Sequence, residues 1–483
     1  MKKWLGVLTV FLLLAASVMP VSAADSYTYS TYTGETTYKA CPDPFLLVGM
    51  YTSSELGVPL VSPKDLCFDS EGNGYLLDSE LNLIYVLDTQ MQPIETIDGF
   101  VDAGGEKNTF NDPLGIALTD DGALYICDTQ NGRVVVLNKD RTLRQIYTCP
   151  QSNVLGQDYV FRPERIVVDD AANMFIINAD EYQGIMQIDV EGEFVAFIGS
   201  DKVTYDPIEL LWKQLLSEEQ ADQMVQFIPV EYFSISMDAD GFIYAVSAAT
   251  GKQPIKRLNL SGQDVLNRYG YVDICGDIDM SKGVGTFEAS LFTDITSKED
   301  GIYFALDSVK CRIFVYNREG YLLYAFTDTD SFRSPAAMEL YDGKLYVTDI
   351  YDGSIAVYEL SDFGRLVMDA DGAYSRGEFE KSFSSWEEVL RMNANYELAY
   401  AQIGRIYLRN GDYALAMENF EKGNFRGSEV TKLDGYNKAF MEWRKHWASD
   451  NFGTVLVVVA VLLVLVVVWK LVKRRRKPHA EGH

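Results

Sequence analysis

The chain has three histidines, His446, His479 and His483, so its first 445 residues contain none. A Ser-His-Asp triad, a histidine general base or a His-rich zinc site is therefore excluded from that stretch. Carboxylates are the plentiful reactive groups: 70 Asp and Glu stand against 42 Lys and Arg, for a net charge of −28. One set has ligand spacing. Asp277, Asp279, Ser281 and Glu288 fall at positions 1, 3, 5 and 12 of a twelve-residue loop, a pattern of oxygens that can wrap calcium. Position 6, where such loops carry glycine, is Lys282, and no flanking helix is evident, so the segment also reads as an acidic connection. The Asp-x-Asp-Gly sequences at 238–241 and 369–372 read as turn chemistry. Aromatic and charged residues near turns point to binding instead: Arg162, Tyr182, Tyr232, Arg333, Tyr351 and Asp352 are of types that suit sugar stacking or protein contact.

Internal repetition supplies the elements that must position these groups. One phrase recurs with variations: proline, an apolar strand, an Asp/Gly turn, a strand with an aromatic, Asp, a polar turn and a third strand. Its copies centre on Asp69–Asp78, Asp121–Asp128, Asp169–Asn178, Asp238–Ser247, Asp300–Asp307 and Asp342–Asp349. They are introduced by Pro63, Pro113, Pro163, Pro229 and Pro335, the fifth copy lacking the proline. Third strands are expected at Leu83–Leu87, Arg133–Leu137, Ile185–Ile188, Ile255–Leu258, Arg312–Tyr316 and Ser354–Tyr358. Short strands with tight turns at this period predict six propeller blades over residues 24–360. Tyr27–Thr33 or Phe45–Met50 would complete the last blade. A helical insertion is expected at 206–228, either as a lid over one mouth or as a cover for a blade edge. Cys41, Cys67, Cys127, Cys149, Cys275 and Cys311 show no paired spacing, and most are expected to be free thiols in cores.

The two ends read as targeting. Lys2 and Lys3, the apolar run Trp4–Ala16 and Val21-Ser22-Ala23 predict a signal peptide over 1–23. Residues 452–472 predict a transmembrane helix, and the basic tail 473–483 places itself on the cytoplasmic side, leaving the body extracytoplasmic in a single-pass membrane protein. Eight of the cations and one of the acids lie in these ends, so the exported body carries 34 cations and 69 acids. Such a body repels nucleic acid and anionic lipid. Between propeller and span, residues 361–448 carry a period of 34 that aligns Gly377 with Gly411 and Trp386 with Phe420. Tyr400, Ile403, Gly404, Tyr407, Ala416 and Phe420 fit the TPR pattern, with a capping helix after them. The TPR pair serves either as a stalk or as a peptide-binding groove.

The phrase at Asp121–Val134 resembles the NHL repeat, and the likeness runs from Ser62 to Tyr358. The fold expected is thus mainly β: a six-bladed NHL-like β-propeller, an α-helical TPR pair and one transmembrane helix. This arrangement resembles bacterial membrane proteins found beside carbohydrate ABC transporters, on the phrases Pro207–Leu210, Lys256–Asn259 and Tyr396–Tyr400. The resemblance implies a non-enzymatic binding or scaffold protein with a protein partner, transporter components among the candidates, and carbohydrate as a candidate ligand. No cofactor is expected apart from the calcium considered above. The rival is a metal-dependent hydrolase, because six-bladed lactonases of similar fold hold a divalent metal on channel Glu, Asn and Asp. Glu164, Asn178, Asp180 and Asp294 are the matching candidates.

Overall fold

The computed structural model describes residues 26–30, 37–156, 158–199, 231–247, 253–270, 272–277, 290–423 and 435–475. The expected leader, the helical insertion at 206–228, the loop residues Asp279, Ser281 and Glu288, and the tail beyond Arg475 lie outside them. The chain divides into two compact units, one through Asn395 and one from Tyr396 onward.

The first unit is a six-bladed β-propeller. Blade one runs outward through Pro63–Phe68, Gly74–Asp78, Leu83–Leu87 and Pro93–Ile97. Blades two and three repeat this order from Gly115–Leu118 and from Pro163–Val168. Blade four has Tyr232–Met237, Ile243–Ser247 and Ile255–Leu258 among the described residues. Blades five and six begin at Phe292–Ser297 and Pro335–Tyr341. Each innermost strand lies against those of the two neighbouring blades, and the sixth meets the first. Phe45–Thr52 closes the ring by pairing antiparallel with Ser354–Leu360. Tyr27–Ser30 goes elsewhere: it joins blade five beside Leu322–Phe326 and is followed by Thr37–Ala40, making that sheet six-stranded. Blade four's innermost strand also starts differently from expectation. Tyr232 pairs with Ser247 as Pro163 pairs with Asn178, so Tyr232 holds the position expected for Pro229, which lies outside the described residues.

Second strands such as Leu124–Asp128 and Tyr303–Asp307 are buried along their whole length, because both faces pack against neighbouring blades. That is why they read as continuous apolar runs, whereas the outer strand Pro93–Ile97 alternates. Between blades one and two, Leu77, Ile84 and Val86 meet Ile116, Leu124 and Val135 in one layer. Each such side chain contributes about 1.5–3 kcal/mol on burial. All six cysteines are free thiols, as expected for most of them, with Cys41, Cys127 and Cys311 buried.

The recurring Asp of the repeat is structural. Asp78 Oδ2 accepts the Val61 and Ser62 N–H groups at 2.7 and 3.1 Å, and its Oδ1 accepts Leu81 N–H at 3.1 Å. Asp349 does the same for Arg333, Ser334, Tyr351 and Asp352. Each carboxylate thereby ties a blade's second turn to the connection that enters its first strand. In blade two, Asn131 and Arg133 also donate to Asp128, the Arg133 bond being 2.7 Å. In blade five the equivalent Arg312 turns away to Asp277, at 2.8 Å, and to the Thr327 carbonyl. Tyr27 donates to the same Asp277, so this group pins the N-terminal strand.

The short helix α1 (Ser53–Leu56) follows the closing strand. Helices α2 (Asp362–Ser375) and α3 (Phe379–Met392) belong to the first unit. Ser361 caps α2 by accepting Gly364 N–H and donates to the Asp43 carbonyl at 2.7 Å. Buried Asp371 takes Asn317 Nδ2 at 2.7 Å, sealing α2 onto the propeller. The second unit holds α4 (Glu397–Asn410), α5 (Tyr413–Lys422) and α6 (Gly435–Arg475). A Cβ at Gly404 would lie 2.8 Å from the Phe420 ring, so glycine there lets α4 and α5 close. Helix α6 is long and apolar enough to cross a membrane.

Candidate functional site

The six innermost strands fix two rings of side chains around the propeller axis. Counted from the repeat proline or the residue in its place, the third position of each inner segment carries Asp65, Gly115, Arg165, Ser234, Asp294 and Ala337. The fifth carries Cys67, Ala117, Val167, Ser236, Thr296 and Glu339. Period-2 geometry puts both rings on the same side of the strands. Asp65, Arg165 and Glu339 were not singled out in the sequence. The signal was available, for Asp65 and Arg165 each lie two residues after a repeat proline and Glu339 four after.

The channel carboxylates join blades. Asp65 Oδ2 accepts Ile116 N–H of blade two at 2.8 Å. Asp294 of blade five accepts the Ser234 hydroxyl from blade four and Met338 N–H from blade six, both at 2.5 Å. Arg165 donates to the carbonyls of Leu114 and Lys64 and stands 3.9 Å from Asp65. Glu339 takes the Thr296 hydroxyl at 3.4 Å. Burial is the main cause that raises these acids. It pushes Asp294, 7% exposed, up to about 6, and Glu339 up to about 8 with help from the charges of Asp294 and Asp65.

The described metal-ligand candidates each have other engagements. Asn178 is buried and takes the Asp position of its repeat, accepting Arg162 N–H and donating to the Val160 and Ala179 carbonyls. Asp180 pairs with Arg162 at the surface. Glu164 sits at the start of blade three's inner strand, its carboxyl raised by burial, and Asp294 belongs to the channel. Asp277, the first candidate calcium ligand, already accepts from Tyr27 and Arg312. No group of three or more His, Cys, Asp and Glu that could hold a metal ion occurs among the described residues.

Five of the six binding candidates reach the propeller mouth where the inner strands begin, in two clusters. Tyr182 is 48% exposed in the turn that also carries Asp180, which Arg162 engages. Three blades round the ring, Arg333 lies over the Tyr351 ring at 5.0 Å and 3.8 Å from Asp352, with Tyr351 68% exposed. Tyr232 is a correction: its ring is buried and its hydroxyl donates to the Gly199 carbonyl, because the blade-four strand begins with it.

None of the curated proteins compared matches this chain. Among solved structures, virginiamycin B lyase from Staphylococcus aureus is similar at 12% identity and TM-score 0.41, over 66% of this chain and 100% of that one. A streptogramin B lyase is similar at 14% identity and TM-score 0.41, over 66% and 98%. A protein of unknown function from Bacteroides caccae is similar at 10% identity and TM-score 0.37, over 65% and 97%. No residue role follows from likenesses of this grade. One stretch matches a family model: residues 110–137, the inner part of blade two with its Asp128–Asn131–Arg133 network, match the NHL repeat.

Proposed function

We propose that this chain is a non-enzymatic, membrane-anchored binding protein whose propeller takes its ligand at the mouth carrying Tyr351, Arg333 and Asp352. The supporting observation is how the polar groups are used. The repeat's buried carboxylates serve backbone N–H groups, whereas Tyr351 stands uncovered beside a guanidinium. An exposed ring next to a charged pair suits the apolar face and hydroxyls of a sugar. In this reading the body lies outside the cytoplasmic membrane with the basic tail inside. The helical hairpins act as TPR-like repeats that dock or space a neighbour, such as a carbohydrate transporter. Thermal melting of the full chain in detergent with a panel of oligosaccharides tests the ligand class. A sugar present at 100 times its Kd adds about 2.7 kcal/mol, and Tyr351→Ala removes that shift. No shift with any sugar refutes the carbohydrate class.

One observation favours a second reading. Asp294 near 6 and Glu339 near 8 are placed where carboxyls can exchange protons at neutral pH. A channel hydrolase requires ester or lactone turnover that falls in both Asp294→Asn and Glu339→Gln. Turnover unchanged in both removes that reading.

A further inference from the structure

Helix α6 carries two kinds of surface in one continuous rod. From Asn451 to Trp469 it has no charged residue, a run of about 19 residues or ~28 Å, close to the ~30 Å hydrocarbon core of a bilayer. Before that run, Phe440, Trp443 and Trp447 stack in a stripe, with ring centroids 6.0 and 6.4 Å apart. His446, one helix face away, is held 3.2 Å from the Tyr413 hydroxyl of α5. The stripe is left open, Trp443 being 37% and Trp447 49% exposed. At the far end Lys473 Nζ lies 4.8 Å over the Trp469 ring. Trp447 and Trp469 are thus ~33 Å apart along the axis, which brackets the core between two indoles.

We propose that the Trp443–Trp447 stripe is a lipid-contact surface that lies in the outer headgroup layer and sets the tilt of α6. The occupant is argued from continuity, since the stripe adjoins the candidate span on the same helix. In an upright helix Trp447 would stand ~6 Å above the core and Trp443 ~12 Å, against a headgroup layer of about 5–8 Å. A tilt of about 30° toward the stripe, within the range that spanning helices adopt, projects that ~12 Å to ~10 Å, and the ~5–6 Å reach of the side chain from the axis lowers Trp443 by a further ~3 Å, to roughly 8 Å. The same tilt draws Leu471 and Val472 into the core with Lys470 snorkelling, ~33 Å of helix projecting to about 29 Å.

This rests on α6 spanning the bilayer, and the experiment separates the two claims. Full-length protein is reconstituted into phosphatidylcholine vesicles, and flotation after carbonate extraction reports the span. Fluorescence of the wild type minus that of W443F/W447F isolates the stripe, in vesicles brominated at shallow or deep acyl positions. The expected result is flotation of both proteins, with the difference emission quenched by about half by shallow bromine and less by deep. Failure to float overturns the span and the stripe together. Flotation with a difference emission untouched by bromine overturns the stripe alone, and a crosslinked dimer lost in W443F/W447F assigns the face to a second copy instead.

Discussion

Asp294→Asn is the perturbation that most directly probes the channel. In the folded chain Asp294 titrates near 6, against an ordinary 3.8, chiefly through burial. The folded state therefore keeps a proton over a range in which the unfolded chain has released it. Stability consequently falls as pH rises from about 4 to about 6, and the full cost is present above 6. At 1.36 kcal/mol per pH unit, the interval is worth about 3 kcal/mol. Asparagine cannot titrate, but its amide can satisfy only one of the two present partners. Its Oδ1 keeps the Ser234 hydroxyl and its Nδ2 then faces Met338 N–H, donor against donor, at about 1–3 kcal/mol independent of pH. The variant is thus expected to be the less stable protein at pH 4, with the gap closing by about 3 kcal/mol by pH 7. Removing the Asp294 charge also lowers Glu339, so above pH 6 the variant loses less stability with rising pH than the wild type does. Urea unfolding of the full chain in detergent at pH 4 to 8 and constant ionic strength, followed by far-UV circular dichroism, reads this out. Parallel pH profiles for the two proteins would refute the assignment of a buried, proton-holding Asp294.

Asp349→Ala strips the acceptor from the Arg333, Ser334, Tyr351 and Asp352 N–H groups, and a loss of about 2–4 kcal/mol is expected in urea unfolding. Gly115→Ala drives a Cβ to 2.4 Å from the Glu164 carbonyl of the next blade and should cost about 1–3 kcal/mol, while Gly156→Ala, with open space around it, leaves the denaturation midpoint unchanged. Arg312→Ala removes the partner that holds Asp277 and Tyr27, so limited proteolysis should cut ahead of Cys41 faster than in wild type; an unchanged rate would show that strand pairing alone retains the segment.

Much of the architecture was legible because its cause is local and repeated. The Asp-containing turns and the buried second strands recur six times, so period and face could be read without knowing any contact. The apolar run of α6 was legible because it needs only hydrocarbon length, whereas the close approach of Gly404 to Phe420 joins two helices and shows only in the structure. The mouth residues were partly legible. Turn position suggested Tyr182 and Tyr351, but the same logic placed Tyr232 outside, and only the strand register shows that it takes a proline's buried place.

What tertiary structure alone decided is which partner each polar group meets. Asp128 and Asp307 occupy the same place in their repeats, yet Arg133 serves the first while Arg312 turns to Asp277 and the N-terminal strand. Asp65, Arg165, Asp294 and Glu339 are as much as 274 residues apart in sequence and share one channel because the ring closes. Spacing along a chain fixes which face a side chain takes. The charge it meets across that face depends on the blade brought alongside, and no local signal encodes that neighbour.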